Sequence, residues 1–339
     1  MKNKVYIFFV VCFLSASCGE IMQPSPTHAA QIIETPRPTK TLKPVSTITL
    51  SPTITPTIPM DPTAQLTAMQ QMIEQNMREP DLADLQYGTF QDEPLLLDIY
   101  LPAQGVPPYP VVIVIHGGGW DLWNKRMIEP WYYQFLEQGY ALASIDYTSS
   151  DIAKWPEQGK QVNAGVRWLR ANAGEFGLDP ERFVVVGGSA GGHLAGIIGV
   201  TSDLAEFNST EYGNNDVSSQ VSGVITYYAA FDLVMEAKHP LSKAAKLLGC
   251  SSEDCPTLAE NASVTTYVTP ETPPFYILHG TGDAVVSLQH AKVMQEALQQ
   301  SDIETTLVIL DGYVHGDSRF GDPEIMKGVF EFVKQVFSK

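Results

Sequence analysis

Phe183-Val-Val-Val-Gly-Gly-Ser-Ala-Gly-Gly192 is the stretch on which the reading of this chain turns. A run of apolar, β-type residues feeds into Gly187-x-Ser189-x-Gly191, and the helix-compatible residues Ala190 to Val200 follow. A serine on so sharp a strand-to-helix turn has strained backbone angles, so its neighbours must lack side chains that would clash, and glycine meets that need. The turn lifts the Ser189 hydroxyl clear of the sheet. The amide of Ala190 falls at a helix N-terminus, where N–H groups lack partners and favour negative charge. The pattern marks Ser189 as a candidate nucleophile. The competing reading is a glycine-rich turn carrying a bystander serine.

Upstream, Val111 to Ile115 runs into His116-Gly117-Gly118-Gly119-Trp120. Successive glycines let the backbone approach a ligand and aim N–H groups at one point. With the Ala190 amide they form a candidate cradle for the oxygen of a tetrahedral intermediate.

A serine nucleophile needs a base, and the base needs an orienting carboxylate. Seven histidines are present. His28 lies in a proline-rich stretch, and His116 is placed to brace the glycine loop. His193 follows Ser189 inside the helix and faces away from the turn. His239 sits in an inserted segment, His279 ends a strand, and His290 falls mid-helix. His315 differs, because it follows the last strand in the loop Asp311-Gly-Tyr-Val-His-Gly-Asp317, where a side chain can reach back to the elbow. Gly280-Thr-Gly-Asp283 follows the strand before it and makes Asp283 the expected carboxylate, with Asp232, Asp311 and Asp317 as rivals.

Around these motifs strands and helices alternate. Strands are expected at 95–101, 111–115, 140–146, 183–187, 223–228, 275–279 and 305–310, and helices near 129–138, 157–174, 190–200, 287–300 and 323–337. The middle strands are continuous apolar runs, as strands covered on both faces require. This predicts one α/β domain over 81–339, a mostly parallel sheet with helices on both faces.

The 339 residues carry a net charge of −17, which argues against nucleic acid and anionic lipid surfaces as partners. Lys2 and Lys4 precede an apolar run from Val5 to Leu14, too short for the ~20 residues that span a bilayer, so residues 1–18 read as an export signal. The small residues before Cys18 resemble a lipoprotein cleavage box, with Ser15 where such a box usually carries leucine, giving Cys18 as a lipidation site and that anchor as the one expected membrane contact; an ordinary secretory signal, and a secreted protein, is the alternative. Proline and threonine dominate 19–63, read as a disordered spacer. Asp61-Pro62 opens an amphipathic helix, expected over 64–80, with Leu66, Met69, Ile73 and Met77 as an apolar stripe packed on the catalytic domain. In an exported chain Cys250 and Cys255 are expected to pair as a disulfide.

With Leu97-Asp-Ile-Tyr-Leu-Pro102, Val166-Arg-Trp-Leu-Arg-Ala-Asn172, Gly177-Leu-Asp-Pro180 and Pro274-Phe-Tyr-Ile-Leu-His-Gly280 added to the serine and glycine motifs, the chain from about Leu95 resembles α/β hydrolases of the carboxylesterase type. Within these it is similar to the BD-FAE-like group of bifunctional feruloyl and acetyl-xylan esterases. The resemblance implies an α/β-hydrolase fold, Ser189 as nucleophile, Asp283 as orienting acid, His315 as base, and Gly118, Gly119 and Ala190 as the oxyanion hole. Trp120 is then a candidate substrate contact. The implied activity is hydrolysis of a small-molecule or polysaccharide-linked ester, with no metal or organic cofactor. An exopeptidase or aryl-formamide hydrolase using the same triad, and a non-catalytic anchored binding module, are the alternatives.

Overall fold

The computed structural model describes residues 45–50, 61–202, 204–238 and 242–339. The export signal, Cys18, His28, His239 and most of the spacer lie outside these residues. In chain order the elements are β1 (Val45–Leu50), α1 (Pro62–Asn76), β2 (Leu82–Phe90), β3 (Glu93–Tyr100), β4 (Tyr109–Ile115), α2 (Gln134–Glu137), β5 (Ala141–Ile145), α3 (Glu157–Asn172), β6 (Leu178–Gly188) and α4 (Ala190–Thr201). There follow β7 (Gly223–Tyr227), α5 (Leu233–Glu236), α6 (Lys243–Leu248), α7 (Pro256–Asn261), β8 (Phe275–Gly280), α8 (Gln289–Gln300), β9 (Thr305–Leu310) and α9 (Pro323–Val336).

The described strands form one nine-stranded sheet in the order β1-β9-β8-β7-β6-β4-β5-β3-β2. From β5 through β1 every pairing is parallel, and β3 joins β5 and β2 antiparallel. Side chains alternate across a strand, so one apolar run serves two cores. Val111, Ile113 and Ile115 of β4 pack with α3, α4 and α8, whereas Val112 and Val114 pack with α1, α2 and α9. The strands β4, β5, β7 and β8, buried apart from Tyr109 and Pro110 at the start of β4, are dominated by apolar residues for this reason. Among the described residues no helix is long and apolar enough to cross a membrane.

The N-terminal elements differ from the sequence reading, and β2 is not among the expected strands at all. The spacer expected over 19–63 contains β1, Val45-Ser-Thr-Ile-Thr-Leu50, four of whose residues are β-branched and which pairs in parallel along β9 from Thr305 to Leu310. Averaged over a proline- and threonine-rich stretch, those six residues lose their β signal, yet an edge strand needs only one neighbour. The helix expected over 64–80 runs Pro62–Asn76, capped by Asp61 accepting from Ala64 N at 3.1 Å. Of its stripe, Met69 and Ile73 are buried, whereas Leu66 and Met77 are 41% and 48% exposed. The buried face is completed by Gln65, a polar residue that the stripe left out. Cys250 and Cys255, between α6 and α7, are joined as a disulfide.

Candidate active site

Ser189 stands between the end of β6 and the first residue of α4 with φ 55° and ψ −123°, a backbone conformation that L-residues avoid. Its amide is held by Tyr227 O of β7 at 3.0 Å. The flanking glycines are there because nothing larger fits. A Cβ on Gly187 would overlap the Gly191 carbonyl, and one on Gly191 would overlap the Ile115 carbonyl at the end of β4. The close approach of α4 to β4 brings the glycine loop beside the elbow.

That loop turns through Gly118 and Gly119, whose φ angles of 97° and 63° lie in the region favouring glycine. A Cβ on Gly118 would overlap the Leu122 carbonyl. His116 is buried and stacks on Tyr147 with ring centroids 4.3 Å apart, while the Tyr147 hydroxyl donates to His116 O at 3.1 Å. His116 Nε2 lies 3.2 Å from Asp146 Oδ1. His116 thus braces the loop from beneath.

His315 and Asp283 leave the ends of neighbouring strands β9 and β8, and their side chains meet with Nδ1 2.9 Å from Oδ2. The other Asp283 oxygen accepts from the amides of Val285 and Val286, both at 2.9 Å. His279 Nε2 stands 3.4 Å from Oδ2 and 3.0 Å from Val286 O. Burial works to raise the Asp283 carboxyl, but His315 and His279 together hold it below the ordinary carboxylate value. His315 Nε2 is buried and makes no hydrogen bond among the described residues. It and Ser189 line one cavity of about 370 Å³, walled by Leu66 and Met69 of α1, by Leu122, Trp123 and Val285, and by Gly118 and Gly119.

The remaining candidates sort as follows. Trp120 reaches this cavity but is 4% exposed, and its indole N–H donates to His193 Nδ1 at 3.2 Å, so little more than a ring edge faces a substrate. His193 is fully buried, with Nε2 2.7 Å from Ala262 O, and burial pulls its pKa down to about 4. Beside His193 the ring of Trp155, not itself a candidate, packs in the core with Phe207. Asp311 bonds Thr281, and Asp317 bonds Arg319, so neither rival reaches His315 Nδ1. Asp232 caps α5.

Gln65 and Glu129 escaped the sequence reading, which places His279 only at the end of a strand. His279 sits four positions before Asp283, a spacing that places both at one strand end. Gln65 is a buried glutamine on a helix, without a motif. Glu129 is fully buried against the elbow: a Cβ on Gly188 would overlap its Oε1, and Tyr228 Oη donates to it at 3.1 Å. The Tyr228 ring in turn lies 4.6 Å from the His315 ring.

A strained serine elbow on a mostly parallel sheet, with an acid and an imidazole arriving from the two following strands, defines an α/β hydrolase. The solved structure described as a truncated carbohydrate esterase from gut microbiota superposes with a TM-score of 0.72 at 23% identity, covering 78% of this chain and 98% of that one. The family model for BD-FAE matches residues 97–298, and the chain belongs to that family. Among curated relatives, esterase LipQ of Mycobacterium tuberculosis is 30% identical over 230 residues, 66% of this chain and 54% of LipQ. The probable carboxylic ester hydrolase LipM of the same organism is 30% identical over 199 residues, 56% of this chain and 45% of LipM. The chain spans about half the length of these relatives.

Proposed function

We propose that the protein is a carboxylic ester hydrolase that works through an acyl-enzyme on Ser189. His315 Nε2 takes the Ser189 proton as Oγ attacks the ester carbonyl. The carbonyl π electrons move to its oxygen, which is received by the amides of Gly118, Gly119 and Ala190. Collapse of the adduct breaks the C–O bond to the alcohol, which leaves with the proton from the imidazolium. Water, deprotonated by the same nitrogen, then attacks the acyl carbon and restores Ser189. Asp283 holds Nδ1–H in place and favours the imidazolium. No step calls on a cofactor.

The observation that carries this reading is the 2.9 Å contact between His315 Nδ1 and Asp283 Oδ2, made by a histidine that lines the same cavity as Ser189. The apolar residues Leu66, Met69, Leu122, Trp123 and Val285, which share the cavity wall with Glu236 and Lys243, suit a short acyl or aryl group. Membership of the BD-FAE family, with the motif resemblance to feruloyl and acetyl-xylan esterases, supports acetyl or feruloyl groups carried on plant polysaccharide. The N-terminal signal pattern and the Cys250–Cys255 disulfide support export, with Cys18 as the lipid anchor.

Rates of release from p-nitrophenyl acetate, acetylated xylan and methyl ferulate by the purified protein and by Ser189→Ala test the proposal. The wild-type chain is expected to hydrolyse at least the activated ester, and Ser189→Ala to fall to background. Equal rates would overturn it.

A further inference from the structure

Gln65 lies in the first turn of α1, fully buried, and its carboxamide meets two loops at once. Nε2 donates to Gly282 O at 3.1 Å, while Oε1 accepts from Ala284 N and from His315 N, each at 3.2 Å. These contacts fall on both neighbours of Asp283 and on the backbone of His315 itself. Two amide donors and one carbonyl acceptor dictate which end of the carboxamide faces which partner, so its orientation follows from the chemistry of its surroundings.

The two loops leave different strands, and the 2.9 Å contact between their side chains is only as well defined as their relative placement. Gln65 ties them together from a third element. One turn further along α1, Met69 packs on Gly316, where any Cβ would overlap the thioether. A buried carboxamide is costly unless its hydrogen-bonding groups are satisfied. A methionine would fill the same space without that cost, and what it would lack is the three bonds to the loops.

We propose that Gln65 is a positioning residue for the hydrolysis, setting the register between the Asp283 and His315 loops through their backbones. This rests on the roles proposed above for Ser189, Asp283 and His315. It also makes α1 part of the working enzyme rather than a connector ahead of it.

The test uses the full chain with Gln65→Met, Gln65→Asn and, as a control on the exposed side of α1, Thr67→Ala. Active sites are counted by titration with a p-nitrophenyl phosphonate, and kcat per titrated site and KM are measured with p-nitrophenyl acetate. A displaced base costs on the order of 10²-fold in rate, so Gln65→Met is expected to lose about that factor in kcat per site with KM little changed. Gln65→Asn, one methylene short of its partners, is expected to fall between Gln65→Met and wild type, and Thr67→Ala to match wild type. A merely structural role would lower the number of titratable sites or the melting temperature and leave kcat per site intact. That result in either Gln65 variant would overturn the inference, and the Asn variant carries the test should the Met variant fail to fold. A wild-type chain without Ser189-dependent ester hydrolysis would overturn both this inference and the function on which it rests. An active, Ser189-dependent wild type with indifferent Gln65 variants would overturn this one alone.

Discussion

His279 Nε2 lies 3.4 Å from the same Asp283 oxygen that meets His315 Nδ1 at 2.9 Å. One carboxylate oxygen therefore serves two imidazoles, and its partner oxygen is filled by two backbone amides. Removing one histidine leaves the other contact in place. Replacing the carboxylate by an amide removes the acceptor that fixes the His315 tautomer.

His279→Gln is expected to lower kcat/KM about tenfold, roughly 1.4 kcal/mol of barrier, and Asp283→Asn to lower kcat by about 10⁴, as loss of the correct tautomer does elsewhere. Steady-state kinetics on p-nitrophenyl acetate rank the two. Equal losses would mean that His279 matters as much as the acid. Since the folded carboxyl of Asp283 is held below its unfolded value of 3.8, its stabilising effect is present above that pH and is lost as the solution is acidified further. Asp283→Asn should therefore have a flatter acid limb in unfolding than wild type.

Glu129 predicts the opposite sign. Desolvation raises its folded pKa from 4.5 to about 7, so the unfolded chain ionises first and stability falls as pH rises between those values. The unfolding free energy of Glu129→Gln relative to wild type is expected to climb by about 3 kcal/mol from pH 4 to pH 8, because each pH unit between the two pKa values contributes about 1.4 kcal/mol. Urea titrations at the two pH values measure it. A pH-independent difference would show that the folded carboxyl ionises at the same pH as the unfolded one, without the upward shift.

The elbow could be read from sequence because its constraints are local. Gly187, Ser189 and Gly191 lie within five residues, and each glycine answers a clash with backbone that the strand-to-helix turn creates. Asp283 and His315 followed from chain order and from loops after consecutive strands. Gln65 could not be found in this way, because a glutamine one turn into a helix looks like a solvent-facing residue until the loops of β8 and β9 close over it. β1 and β2 escaped for another reason. Both lie at sheet edges, where one side remains open and the apolar signal is diluted, as the half-exposed pattern of Leu82–Phe90 shows.

Gly118→Ala tests the glycine loop. The added methyl meets the Leu122 carbonyl at a φ of 97°, so the loop must move and carry its amides away from the elbow. Loss of one such donor costs about 10² to 10³ in kcat. That drop, with phosphonate still reacting slowly at Ser189, is the expected outcome, and an unchanged kcat would remove the loop from the oxyanion site.

Replacing Cys250 and Cys255 by serine opens a short cross-link between α6 and α7, and neither cysteine lines the cavity. By loop-closure entropy this should cost about 2 kcal/mol of stability with kcat/KM unchanged. Thermal unfolding and ester kinetics on the same preparation check both halves.

The most direct test of the whole account is peptide mass mapping of the intact protein after reaction with a fluorophosphonate. One adduct per chain, located on Ser189 and formed far more slowly in His315→Ala, is the predicted result. Labelling at another residue, or at Ser189 with the same rate when His315 is gone, would contradict it.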